Sequence, residues 1–210
     1  VKMAVQASVD GIIVNGDDSD EMTACINEAV NQGIPVATVL NDCSGSKRQC
    51  FAGANNYNIG QEYGRQIQQA LKDNDKKHMK KVLVLIENNS GDTSGNLILL
   101  GIRETLEREI KVTHEVSVDA VQVDNSDSFG AEEYIRDVFL DEDQTPDILV
   151  CLSGVYTQCA YQAAVDYNKV GVVQIFGYFD SPQILDALAK NILTVTIAPD
   201  TAEMGRLSVQ

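Results

Sequence analysis

The stretch Gly33–Gly60, GIPVATVLNDCSGSKRQCFAGANNYNIG, decides the fold. Gly33 closes a preceding helix with a residue that tolerates a left-handed backbone, and Pro35 just beyond cannot continue it. Val36–Leu40 is then a short apolar run with β-branched residues, the pattern of a strand buried on both faces of a parallel sheet. A polar segment and a second short strand follow, and GANNYNIG opens another helix. In open α/β sheets ligands sit outside the carboxyl ends of the strands. Here that end carries Asn41, Asp42, Ser44, Ser46, Lys47 and Arg48. A plain surface loop accounts for these residues as well, because loops are generally polar.

Outward from this stretch, strands and helices alternate, which is the signature of parallel βαβ units. Upstream, a helix over 1–7 precedes a strand at Gly11–Val14. Ser19 then caps a helix with Met22, Ile26, Ala29 and Val30 on one face. Downstream, the helix expected at 58–72 places Ile59, Tyr63, Ile67 and Leu71 four residues apart, so one stripe faces a sheet. Further strands are expected at 81–87, 112–118, 147–152 and 172–177, and further helices at 96–110, 129–140, 157–167 and 182–190. A final helix starts near Ala202.

Composition sets bounds. Of 210 residues 44% are hydrophobic, enough for one substantial core or two small ones. Lys and Arg number 16 against 31 Asp and Glu, a net charge of −15. That field repels a polyanion, so nucleic acid is not an expected partner. No run approaches the roughly 20 apolar residues that cross a bilayer. His78 and His114 have no partner at recognisable spacing for a metal or a triad, no GxSxG, CxxC, P-loop or GxGxxG occurs, and neither a cofactor nor an enzymatic activity is expected. The acidic run Asp17-Asp18-Ser19-Asp20-Glu21 reads as a helix start, where carboxylates cap the backbone and complement the dipole. The stretch Asn88–Asn96, small and polar, reads as a flexible loop before a helix, and Lys72–Lys81 as a solvated helix end and loop.

The order of IPV, strand, polar triplet, SKR, short strand and AGANNYNIG resembles the type I periplasmic binding protein superfamily, in its sugar-binding, ribose- and galactose-binding-protein-like branch. Val9-Asp10-Gly11-Ile12-Ile13-Val14 is similar to the family's preceding strand. Phe176-Gly177-Tyr178-Phe179-Asp180-Ser181-Pro182 resembles its GY-D-SP turn, and Thr196-Ile197-Ala198 with Met204-Gly205 its return crossing. The resemblance implies an α/β fold of two-lobed, doubly wound parallel sheets. The N-terminal lobe (1–54) is expected to be partial. The C-terminal lobe spans 55–198, and 199–210 begins the return crossing; a whole first lobe would open with a further βαβ unit, so truncation at both ends is expected.

The resemblance also implies a site. An acidic residue commonly closes the strand that here ends in Leu40, and Asn41 and Asp42 follow it. An arginine common in relatives is replaced by Ile98. Ser153 stands after the strand expected at 147–152, where an asparagine is frequent in relatives, and Pro199 with Asp200 replaces a glutamine. Tyr156, Tyr178 and Phe179 near strand ends offer flat rings to the apolar face of a pyranose, with lobe packing the alternative for them. The candidate ligand-binding set is Asn41, Asp42, Ser153, Tyr156, Tyr178, Phe179, Asp180 and Asp200, with no metal site. Substitution of the acidic and basic clamps makes a less polar ligand credible beside a sugar-like one.

The function this implies is extracytoplasmic capture of a sugar-like small molecule between two lobes, with importer membrane subunits or a sensor kinase as partner. The alternative is the effector-binding half of a lactose-repressor-type transcription regulator. Five cysteines are present, and Cys43 and Cys50, flanking a six-residue loop, could form a disulfide in an oxidising compartment.

Overall fold

The computed structural model describes residues 1–72, 79–88, 93–109, 116–124 and 128–209. His78, His114 and much of the Asn88–Asn96 and Lys72–Lys81 stretches lie outside the described residues. The chain divides into two compact units, one containing Val1–Asn55 and Pro199–Gln210, the other Asn56–Asn89 and Gly95–Ala198.

The first unit holds a three-stranded parallel sheet in the order β1-β2-β3, made of β1 (Ile12–Asn15), β2 (Val36–Val39) and β3 (Cys50–Ala52). Helices α1 (Lys2–Gln6) and α2 (Asp20–Asn31) precede β2, and α8 (Thr201–Ser208) returns to this unit and packs on β2 and β3. The start of α2 follows its sequence: Ser19 Oγ accepts from the Met22 N–H at 3.1 Å, and Asp20 and Glu21 fill the first turn. Its end does too. Gly33 has φ +86°, its N–H donates to Val30 O at 3.0 Å, and the Ile34 N–H reaches back to Ala29 O at 3.0 Å. Ile26, Ala29, Ile34, Val36 and Cys43 form the small core.

The second unit holds a five-stranded sheet, all parallel, in the order β5-β4-β6-β7-β8. Its strands are β4 (Lys80–Asn88), β5 (Val116–Asp124), β6 (Ile148–Cys151), β7 (Gln174–Tyr178) and β8 (Val195–Ile197), with α3 (Asn56–Lys72), α4 (Ser94–Glu109), α5 (Ser128–Leu140), α6 (Gly154–Asp166) and α7 (Pro182–Ala189) between or before them. This is the doubly wound order, whose direction reverses beside β4. The predicted stripe of α3 is real: Ile59, Tyr63, Ile67 and Leu71 are all buried. Gly60 and Gly101 let α3 and α4 approach closely. A methyl group on Gly60 would lie 2.1 Å from Ile98 O, and one on Gly101 2.3 Å from Tyr57 O. Ile98 itself is buried.

Two boundaries differ from the sequence reading. β5 runs to Asp124 rather than ending at Val118, because β4 pairs with it continuously from Lys80↔Val116 to Asn88↔Asp124. The partner, not its own pattern, sets its length. The helix expected from Thr157 begins at Gly154, since Ser153 Oγ caps it by accepting from the Tyr156 N–H at 3.2 Å.

Candidate functional site

The carboxyl ends of β2, β6 and β7 run into loops that their own units supply. In the first unit, β2 ends in a turn centred on Leu40. Leu40 has φ +64°, and the Asn41 N–H donates to Val39 O at 2.7 Å, which together make a γ-turn. A left-handed backbone costs a non-glycine residue about 1–2 kcal/mol. It is held there by its surroundings: the Leu40 N–H donates to Ala52 O at 3.2 Å, and Asn15 Oδ1 accepts from the Asn41 N–H at 3.2 Å. Gly16 allows this crowding, since a methyl group there would lie 2.8 Å from Asn41 O.

The polar segment after Leu40 is tied both to itself and to residues before and within α2. Asp42 accepts from the Thr38 hydroxyl at 2.8 Å and the Cys43 N–H at 2.8 Å, and the Arg48 Nε and Nη2 both donate to its carboxylate. Burial opposes ionisation of Asp42, but the hydrogen bonds from Arg48, Thr38 and Cys43 outweigh it and hold the carboxyl below its ordinary value. Asp18 accepts from the Ser44 N–H and hydroxyl at 2.9 and 3.1 Å. Asn27 accepts from the Lys47 N–H at 2.7 Å, and Asn31 from the Lys47 ammonium at 2.9 Å. Asp42 is therefore a scaffold residue here: its oxygens are taken up within the loop. Asn41 is exposed. Asp200 caps α8, its Oδ1 accepting from the Glu203 N–H at 2.9 Å. Cys43 and Cys50 are both free. Cys43 is buried with Sγ 3.3 Å from the Thr23 hydroxyl, while Cys50 is exposed on β3, so the bridge considered from the sequence is not formed.

In the second unit the tips of β6 and β7 converge. The Thr157 hydroxyl, fully buried, donates to Ser153 O at 2.7 Å and accepts from the Tyr178 N–H at 2.9 Å. The Tyr63 hydroxyl donates to Gly177 O at 2.7 Å. Only glycine fits at 177, where a methyl group would meet Thr157 Cγ2 at 2.5 Å. Phe179 follows with φ +76°, pinned on both sides: its N–H donates to Ile197 O at 3.0 Å, and its carbonyl accepts from the Thr196 hydroxyl at 2.6 Å. Its ring meets Tyr178 edge to face, centroids 5.2 Å apart at 85°. Both rings are half-buried, and burial pushes the Tyr178 hydroxyl up from its ordinary pKa. Asp180 is exposed beside them.

Of the residues chosen from sequence, Ser153, Tyr178, Phe179 and Asp180 thus share one edge. Tyr156 does not join them. It is wholly buried and its hydroxyl donates to Val123 O at 3.0 Å, which makes it a core residue. Its place was legible: Tyr156, Ala160, Ala163 and Ala164 recur at helical spacing and all are buried. Leu40, Tyr63, Thr157 and Thr196 were not chosen, because nothing in an isolated Leu, Tyr or Thr announces which backbone group it will fix. Among the described residues no group of three or more His, Cys, Asp or Glu is placed to hold a metal, and no helix is long and apolar enough to cross a membrane.

The model of the periplasmic binding protein domain matches residues 1–210. The chain belongs to this family. Its parallel sheets match those of solved periplasmic binding proteins. A sugar-binding protein of a sugar ABC transporter from Bacillus halodurans is 25% identical, with a TM-score of 0.82 over 99% of this chain and 68% of that one. GanP, a glucose-galactose binding protein from Geobacillus stearothermophilus, is 22% identical, with a TM-score of 0.83 over 99% of this chain and 70% of that one. A chain of the XylFII-LytSN complex is 23% identical, with a TM-score of 0.81 over 99% and 72%. No protein of curated function matches.

Proposed function

We propose that this periplasmic binding protein domain is an extracytoplasmic solute-binding module. It captures a sugar-like small molecule with the carboxyl edges of its two sheets, for delivery to the membrane subunits of an ABC importer or presentation to a membrane sensor. The observation that carries the reading is the pair Leu40 and Phe179. Each is a bulky residue in a left-handed backbone immediately after a strand of its own sheet, at φ +64° and +76°. Strain of this kind persists where the surrounding structure enforces it and clusters at ligand sites. The descriptions of the Bacillus and Geobacillus proteins as sugar-binding support the ligand class, and the XylFII-LytSN assembly lends support to a protein partner.

The chemistry fits a ring with one apolar face. In the second unit Phe179 and Tyr178 supply flat aromatic surface, with Ser153 and Asp180 as polar groups on the same edge; in the first unit Leu40 supplies an aliphatic surface, with Asn41 next to it in the chain. The closing motion expected of the family would be a population shift, as large as the ligand's preference for the closed state and no larger. A thermal-shift screen against pentoses, hexoses, polyols, nucleosides and amino acids tests the reading. A sugar at roughly 100 times its dissociation constant adds about 2.7 kcal/mol of stability. Stabilisation by amino acids or nucleosides and by no sugar or polyol would replace the ligand class, and silence across the panel would remove the function.

A further inference from the structure

The second unit carries a groove of about 640 Å³ between α5 and α6. Its apolar surface comes from Phe129 and Val155, exposed by 63% and 46%, with half-buried Tyr161 and Tyr167. Phe129 and Val155 are exposed together against half-buried tyrosine rings, the kind of polar-rimmed apolar surface found at interaction sites. None of these four residues serves the sheet edges described above.

Acidic side chains outnumber basic ones around the groove. Glu132, Glu133 and Asp166 line it with one cation, Arg136. That cation is already engaged, donating to Glu133 Oε1 at 3.3 Å and Asp137 Oδ1 at 3.0 Å. Among the described residues Glu132 meets the Cys159 thiol, at 4.0 Å, and Asp166 accepts from Gln162 at 3.0 Å. The whole chain adds its net charge of −15. A second copy of this chain would bring acid against acid, so the complementary occupant is basic.

We infer that the α5–α6 groove docks an amphipathic helix of a partner protein, its apolar stripe laid on Phe129, Val155, Tyr161 and Tyr167 and its flanking lysines or arginines set against Glu132 and Asp166. The 13 residues of α5 give a track of roughly 20 Å, which matches about three to four turns of such a helix. Burial of the aromatic floor supplies most of the affinity, and the acidic rim speeds association and selects the sign of the partner.

The test uses the whole 210-residue chain and two labelled helical peptides that share one leucine stripe, one flanked by lysines and the other by glutamates. Fluorescence anisotropy at low ionic strength is expected to show saturable binding of the basic peptide, at least tenfold tighter than the acidic one, weakening as salt is added. The exposed double reversal Glu132→Lys with Asp166→Lys is expected to cost the basic peptide about tenfold, and Phe129→Ser to abolish its binding with circular dichroism unchanged. Equal binding of the two peptides, binding of neither, or binding untouched by either variant would overturn the proposal. So would concentration-dependent self-association lost in Phe129→Ser, since the groove would then belong to a second copy.

Discussion

The two sheet edges perform the same task with different physics. Each must hold a bulky residue in a left-handed backbone at a strand tip, Leu40 in one unit and Phe179 in the other. Around Leu40 the neighbouring loop is fixed by charge: Asp42 with Arg48, Asp18 with Ser44, and Lys47 with Asn31. Around Phe179 the fixing groups are neutral hydroxyls of Tyr63, Thr157 and Thr196 bonded to backbone. A buried neutral hydroxyl has no charge to screen or protonate, whereas a partly buried ion pair responds to both acid and neighbouring charge. One edge should therefore be insensitive to pH and the other should not.

The largest expected effect lies on the neutral side. Thr157→Val keeps the shape but removes a hydroxyl that serves both Ser153 O and the Tyr178 N–H, leaving the latter unpaired. A loss of about 3 kcal/mol is expected, read by chemical denaturation and equal at neutral and mildly acidic pH. A loss that varied with pH would break the contrast between the two edges.

On the charged side, Arg48→Met strips Asp42 of its cation and is expected to cost about 1–2 kcal/mol at neutral pH. The sign of the acid response follows from the depressed carboxyl. Asp42 contributes fully above its unfolded value of about 4, and the contribution disappears as pH falls through the lower folded value. Denaturation midpoints taken downward from pH 6 should thus decline more steeply for the natural chain than for Arg48→Met, the two converging in acid. Parallel curves would show that Asp42 draws nothing from Arg48.

The smallest effect on stability is expected at Leu40. Leu40→Gly relieves the left-handed backbone while giving up a half-buried side chain, so the two terms nearly cancel and stability should change by less than about 1 kcal/mol. Sugar affinity should fall at least tenfold in the same variant. A large loss of stability with affinity intact would make Leu40 a packing residue.

Much of the fold could be read from the chain because its punctuation is local. Ser19, Gly33 and the Ser181–Pro182 pair each act within one turn of a helix, and each appears where expected, the Ser181 hydroxyl accepting from the Ile184 N–H at 3.4 Å. The site was less legible. Asp42 looked like a free carboxylate at a strand end because sequence gives the residues of a loop but not the direction of their side chains, and Arg48, six positions on, claims it. Leu40 and Phe179 carried no signal for a positive φ, since glycine or asparagine would ordinarily mark one. Their conformation is imposed by Ala52 and Asn15 on one side and by Ile197 and Thr196 on the other, residues far along the chain.

Isothermal calorimetry of the purified domain with a panel of pentoses and hexoses tests the central claim most directly, run in parallel on Leu40→Gly and Phe179→Ala. The account predicts saturable binding of at least one sugar at one site per chain, weakened at least tenfold by each substitution. Heat of binding for no sugar, or a sugar bound equally well by the natural chain and both variants, would contradict it.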